Sequence, residues 1–98
     1  MAMQLNNLLL TLRQQQTYLQ DQYHVESLGV FGSVVRGEKN QESDLDLLVT
    51  FSETPSLLEF ISLEIYLSEL LGIKVDLVMK DSLKPHIGKH ILAEVVSV

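Results

Sequence analysis

Two aspartates separated by a single residue, Asp44 and Asp46, open the apolar run Leu45-Asp46-Leu47-Leu48-Val49. Residues two apart on an extended strand project to the same side, so both carboxylates face one way. At a separation of about 7 Å they repel by roughly 2–3 kcal/mol at an effective dielectric near 20. Such a pair needs either full solvation or a compensating cation. Taken alone, it reads equally well as a polar strand end and as a seat for magnesium, which takes a few carboxylate oxygens together with substrate phosphates. Upstream, Gly32-Ser33 closes the run Val25 to Phe31. If the two runs pair as antiparallel strands, this bend lies beside Asp44. Glycine lets a phosphate approach the backbone, the serine hydroxyl can donate to it, and amides opening a helical turn attract anions. A phosphate cradle and a carboxylate pair then meet at one sheet edge, which packing alone does not explain.

Asp76 is the third acid. It interrupts the branched run Ile73 to Met79, where an unpaired buried carboxylate would be costly. By itself it reads as part of an edge strand showing Lys74 and Asp76 to water. Beside Asp44 and Asp46 it completes a metal cluster and helps remove the proton of an attacking hydroxyl.

Alternating helices and strands must position these groups. Leu5, Leu8, Leu9, Leu12, Leu19 and Tyr23 share one face of a helix expected from about Gln4 to Tyr23, with Gln16 interrupting that face. Val25 to Phe31 and Asp44 to Phe51 read as strands, with one short helical turn between Ser33 and Gly37. Ser56-Leu57-Leu58-Glu59 has capping-box spacing and opens a helix that ends at Leu71, before Gly72 in the left-handed stop position. Ile73 to Met79 is a third strand. Asp81 to Pro85 opens a last helix, on which Leu83, Ile87, Ile91 and Val95 form the expected buried face. The expected fold is α/β (α+β): a small mixed three-stranded sheet with flanking helices in the order α-β-α-β-α-β-α. The strand–helix–strand unit from Asp44 to Met79 is parallel and right-handed, and the first two strands are antiparallel.

Composition narrows the class. The 98 residues, read as a single domain over 1–98, are 46% apolar and 20% charged, ordinary values for a soluble globular protein. There is no cysteine, which excludes a thiolate metal site and suits a reducing cytoplasm. The stretch Met1 to Asn6 lacks the pattern of a signal peptide, and no apolar run is long enough to span a bilayer. Thirteen acidic against seven basic residues give a net charge of −6. That is the wrong sign for direct nucleic-acid binding and suits a basic protein partner.

Together, Gly32-Ser33, a ten-residue gap, Asp44-x-Asp46 and the later Asp76 resemble the signature of the DNA polymerase β-like nucleotidyltransferase superfamily. Gly32-Ser33-x-x-Arg36-Gly37-Glu38 with Ser43-Asp44-x-Asp46-Leu47-Leu48-Val49 is similar to the minimal nucleotidyltransferase (MNT) branch, as is the ending from Leu83 to Val96. An arginine is usual in that branch where this chain has His86. The resemblance covers essentially the whole chain. It implies an antitoxin that transfers AMP from ATP to a tyrosine of a HEPN-domain toxin. It also implies that Asp44, Asp46 and Asp76 hold magnesium and do the chemistry, while Gly32, Ser33, Arg36 and Ser43 hold the nucleotide. Arg36 reads equally as a surface ion pair. Two other classes compete: an antitoxin that only covers its toxin, and a transferase for a small molecule. Three strands and four helices leave little chain for a small-molecule acceptor pocket. His86 and His90, four apart on the last helix, lack an evident third ligand and are read as polar surface. Tyr66 is read as core, Tyr18 as surface, and Phe31 as packing beneath the Gly32-Ser33 bend.

Overall fold

The structure, a computed structural model, describes residues 5–32, 35 and 44–98. Helices α1 (Leu5–Gln14) and α2 (Gln16–Tyr23) lead into strand β1 (Val25–Phe31). Strand β2 (Leu45–Phe51), helix α3 (Leu57–Leu71) and strand β3 (Val75–Met79) follow. A 3₁₀ turn (Lys80–Ser82), helix α4 (Pro85–Glu94) and a short strand β4 (Val96–Ser97) complete the chain. The sheet order is β3-β2-β1-β4. As the sequence implies, β1 and β2 are antiparallel and β2 and β3 parallel.

Three expectations need correction. The sheet has four strands, because Val96–Ser97 pairs antiparallel with β1; two residues are too few to show a period. The first helix is two helices that meet at Gln15, which leaves helical geometry at φ −99° and ψ 0° and accepts a hydrogen bond from the Tyr66 hydroxyl at 2.9 Å. The face expected on the last helix is only partly buried: Ile87 is 54% exposed, Leu83, Ile91 and Val95 are half-buried, and Gly88 is the buried residue of α4. The 3₁₀ turn delays the helix start to Pro85, which leaves Leu83 outside the helix.

Alternation along β2 decides which sheet face is core. Leu45, Leu47 and Val49 are fully buried beside Leu28 and Val30 of β1 and Val75 and Leu77 of β3. Leu8, Leu12, Leu19, Leu63 and Leu67 from the helices complete this cluster. Asp46, Leu48 and Thr50 point to the other face, where the Val95 side chain packs so tightly on Gly29 that a β-carbon there would collide with it.

Helix α3 starts with the expected capping box: Ser56 Oγ accepts from the Glu59 amide at 3.2 Å, and the Ser56 amide donates to Glu59 Oε1 at 3.3 Å. It ends at Gly72, whose φ of +67° is left-handed. Between these ends the helix closes the outer edge of the sheet. The Val75 amide donates to Ser68 Oγ and the Leu77 amide to Glu64 Oε2, both at 3.0 Å.

All three tyrosines of the chain gather where α2 meets α3, with Tyr66 ring centroids 5.1 Å from Tyr18 and 6.0 Å from Tyr23. Burial, then the neighbouring Tyr18 and Tyr23 hydroxyls, push the Tyr66 phenol above its usual range. The folded state therefore holds this proton more tightly than the unfolded chain does. Its contribution to stability is complete below about pH 10 and is lost as pH rises through the folded value. Tyr66→Phe should flatten the decline in urea-unfolding free energy between about pH 9 and about pH 11. Ser68→Ala, which strips the acceptor from a buried strand amide, should cost about 1–3 kcal/mol in the same measurement at neutral pH.

Candidate active site

Strand register assembles the site. Asp46 is the cross-strand partner of Phe31 on β1 and of Asp76 on β3. Directly paired residues point to the same face, so the Asp46 and Asp76 side chains are neighbours on the side of the sheet away from the main core. Asp76 is exposed, whereas Val75 and Leu77 on either side of it are buried. The strand thus turns its apolar residues inward and its acid outward.

Asp44 sits one residue ahead of β2, two positions from Asp46. Its Oδ2 lies 3.7 Å from Lys74 Nζ, and the two side chains are 38% and 80% exposed. So open an ion pair is worth little and breaks easily.

Gly32 follows the last residue of β1 with φ +85°, a conformation that side chains disfavour. A β-carbon there would run into the Asp46 carboxylate. Glycine is therefore required twice, by its backbone conformation and by the acid beside it. Its amide donates to Glu94 Oε2 at 3.2 Å. Val30 pairs with Val96, and continuing this antiparallel register brings Glu94 opposite Gly32. Glu94 is a residue that sequence reasoning missed. Its one signal was the pair of branched residues after it, Val95-Val96, which breaks the helix into a strand.

Asp44, Asp46, Asp76 and Gly32 thus lie around the start of β2. Ser33, Arg36 and Ser43 lie outside the described residues, as does the turn expected at 33–37 apart from Val35. Among the described residues, no three acidic or histidine side chains are close enough to grip a metal as they stand. The donor set nonetheless fits magnesium in kind, being anionic oxygens at neighbouring strands, with Asp76 and Asp44 open to solvent. His86 and His90 are exposed on α4 with rings 5.9 Å apart, and Phe31 is buried directly before the Gly32 bend. Among the described residues, no helix is long and apolar enough to cross a membrane.

Comparison with known proteins places this geometry. Residues 12–98 match the nucleotidyltransferase domain family. The protein adenylyltransferase MntA of Thermococcus cleftensis is 59% identical over 80 residues, covering 82% of this chain and 81% of that protein. A solved structure described as a minimal nucleotidyltransferase superposes with a TM-score of 0.73 at 39% identity, covering 92% of this chain and 95% of that one. The complex of a tri-AMPylated HEPN toxin with an MNT antitoxin from Shewanella oneidensis contains a similar chain. There the TM-score is 0.66 at 20% identity, with 92% of this chain and 70% of that one covered, a likeness of fold alone.

Gly32→Ala should destabilise the protein by about 1–3 kcal/mol through backbone strain and the clash with Asp46. In Gly32→Ala/Asp46→Ala the clash with the carboxylate disappears, leaving only a tight contact with the remaining β-carbon. The double variant should therefore be more stable in urea than the sum of the two single changes requires.

Proposed function

Since the chain belongs to the nucleotidyltransferase domain family, among the protein adenylyltransferases that include MntA, we propose that it is an antitoxin that transfers AMP from ATP to a tyrosine of a HEPN-domain toxin. The observation that carries this reading is the pairing of Asp46 with Asp76 on one sheet face, beside a glycine that only a bare backbone can satisfy. The tri-AMPylated toxin bound to an MNT antitoxin supports the choice of partner.

In this reaction the acceptor hydroxyl oxygen bonds to the α-phosphorus of ATP, the bond from that phosphorus to the bridging oxygen breaks, and pyrophosphate leaves. Asp76, solvent-facing and next to Asp46, accepts the hydroxyl proton as the new bond forms. Asp44, Asp46 and Asp76 would hold magnesium, which when bound offsets phosphate charge and polarises the phosphoryl group. Asp44 becomes available for this by releasing Lys74, a small cost at so exposed a pair. Gly32 lets the backbone pass close beside the Asp46 carboxylate, while its own N–H is held by Glu94. Ser33, Arg36 and Ser43 complete the nucleotide site.

The exposed apolar side chains Leu57, Leu58, Ile61 and Ile65 favour one competing reading, an antitoxin that neutralises its toxin by binding alone. A single experiment separates the two. The protein is incubated with its HEPN-domain partner, ATP and magnesium, and the intact mass of the partner is measured. Wild type should add AMP, and Asp44→Asn/Asp46→Asn should add none while still binding the partner. Equal absence of modification with wild type and the double variant defeats the enzymatic reading. Asp76→Asn should slow transfer by about 10²- to 10⁴-fold with little change in ATP affinity.

A further inference from the structure

Helix α3 is apolar on two sides, although the domain buries one. Leu63, Leu67 and Leu71 face the core. On the outer side Leu57, Leu58, Ile61 and Ile65 are 74%, 79%, 42% and 53% exposed. Their spacing of three and four residues makes one stripe about 12 Å long. A helix that is apolar all round belongs inside a structure, not on its surface.

Charge states what can cover it. From Phe51 to Ile73 the chain contains Glu53, Glu59, Glu64 and Glu69 and no lysine, arginine or histidine. Glu64 is turned to the β3 edge, whereas Glu53, Glu59 and Glu69 are exposed around the stripe. A second copy packed antiparallel about the centre of the stripe would bring Glu53 towards Glu69 of its mate, with His24, 3.6 Å from Glu53, as the one base beside either acid among the described residues. Like charges so placed cost free energy at an interface.

We infer that the outer face of α3 is the docking surface for a different, basic protein, which lays an apolar helix flanked by lysine or arginine along Leu57, Leu58, Ile61 and Ile65. Resting on the function proposed above, this partner is the acceptor protein itself. The chain leaves β2 at Phe51 and enters α3 at Leu57, so the exposed leucines lie at the opposite end of the strand from Asp46. Five residues of strand separate these ends by about 17 Å. The partner is gripped at one place and modified at another, which leaves the carboxylates open to nucleotide while it is held.

The test is isothermal titration of the HEPN-domain partner into wild type, Leu58→Ser/Ile61→Ser/Ile65→Ser and Glu53→Lys/Glu69→Lys. Affinity for magnesium–ATP and circular dichroism are measured in parallel. Both variants should stay folded and bind magnesium–ATP as wild type does, yet bind the partner at least about tenfold more weakly. Unchanged partner affinity in both overturns the docking surface. Sedimentation showing that wild type dimerises and the triple serine variant does not would overturn it too, in favour of a second copy. Weakened binding without AMP transfer by wild type leaves the surface standing and removes the enzymatic reading. Transfer with unaltered binding does the reverse.

Discussion

The register of β2 against its two neighbours is the constraint from which the site follows. Leu45, Leu47 and Val49 must enter the core, so Asp46 has to leave it. A slip by one residue would bury the carboxylate and expose three aliphatic side chains, a change that no part of this small domain could offset. With β2 fixed, the parallel pairing to β3 brings Asp76 beside Asp46, and the antiparallel pairing to β1 brings Gly32 against the same acid. Hydrophobic burial, which carries no chemical information of its own, thereby places the polar groups to within a residue.

That dependence explains why the carboxylates could be found in the sequence. Asp44, Asp46 and Asp76 each stand against an alternating apolar background, and period-two alternation fixes the direction of a side chain without coordinates. Gly32 was legible because glycine at a strand end marks a turn, although its contact with Asp46 was not. Glu94 was invisible: it sits at the end of a helix, 62 positions beyond Gly32, and its place opposite that glycine depends on the two-residue strand that follows it. The break at Gln15 was hidden for a similar reason. Its partner, the Tyr66 hydroxyl, is 51 residues away, and local periodicity cannot report a long-range hydrogen bond. The face expected along α4 was only partly right because it assumed a helix beginning at Asp81, whereas a 3₁₀ turn precedes Pro85 and leaves Leu83 out of phase with Ile87, Ile91 and Val95.

The carboxylates also show how such a protein reconciles stability with chemistry. Clustered acids repel, and here the repulsion is relieved without burying a base: Asp44 leans on a solvated lysine, and Asp76 faces water. Neither arrangement is strong, and neither needs to be. Groups that must later accept a cation and a polyphosphate are best held by contacts they can surrender cheaply.

The side chains of Ser68 and Glu64 do more than finish the β3 edge. By engaging the outward amides of Val75 and Leu77, they remove two donors that a foreign backbone would need to extend the sheet there. The opposite border is a strand of only two residues. Such borders disfavour extension of the sheet by an added strand and favour companions that recognise side chains rather than main chain. Selectivity among related companions is then a matter of surface chemistry, open to change by point substitution without disturbing the scaffold.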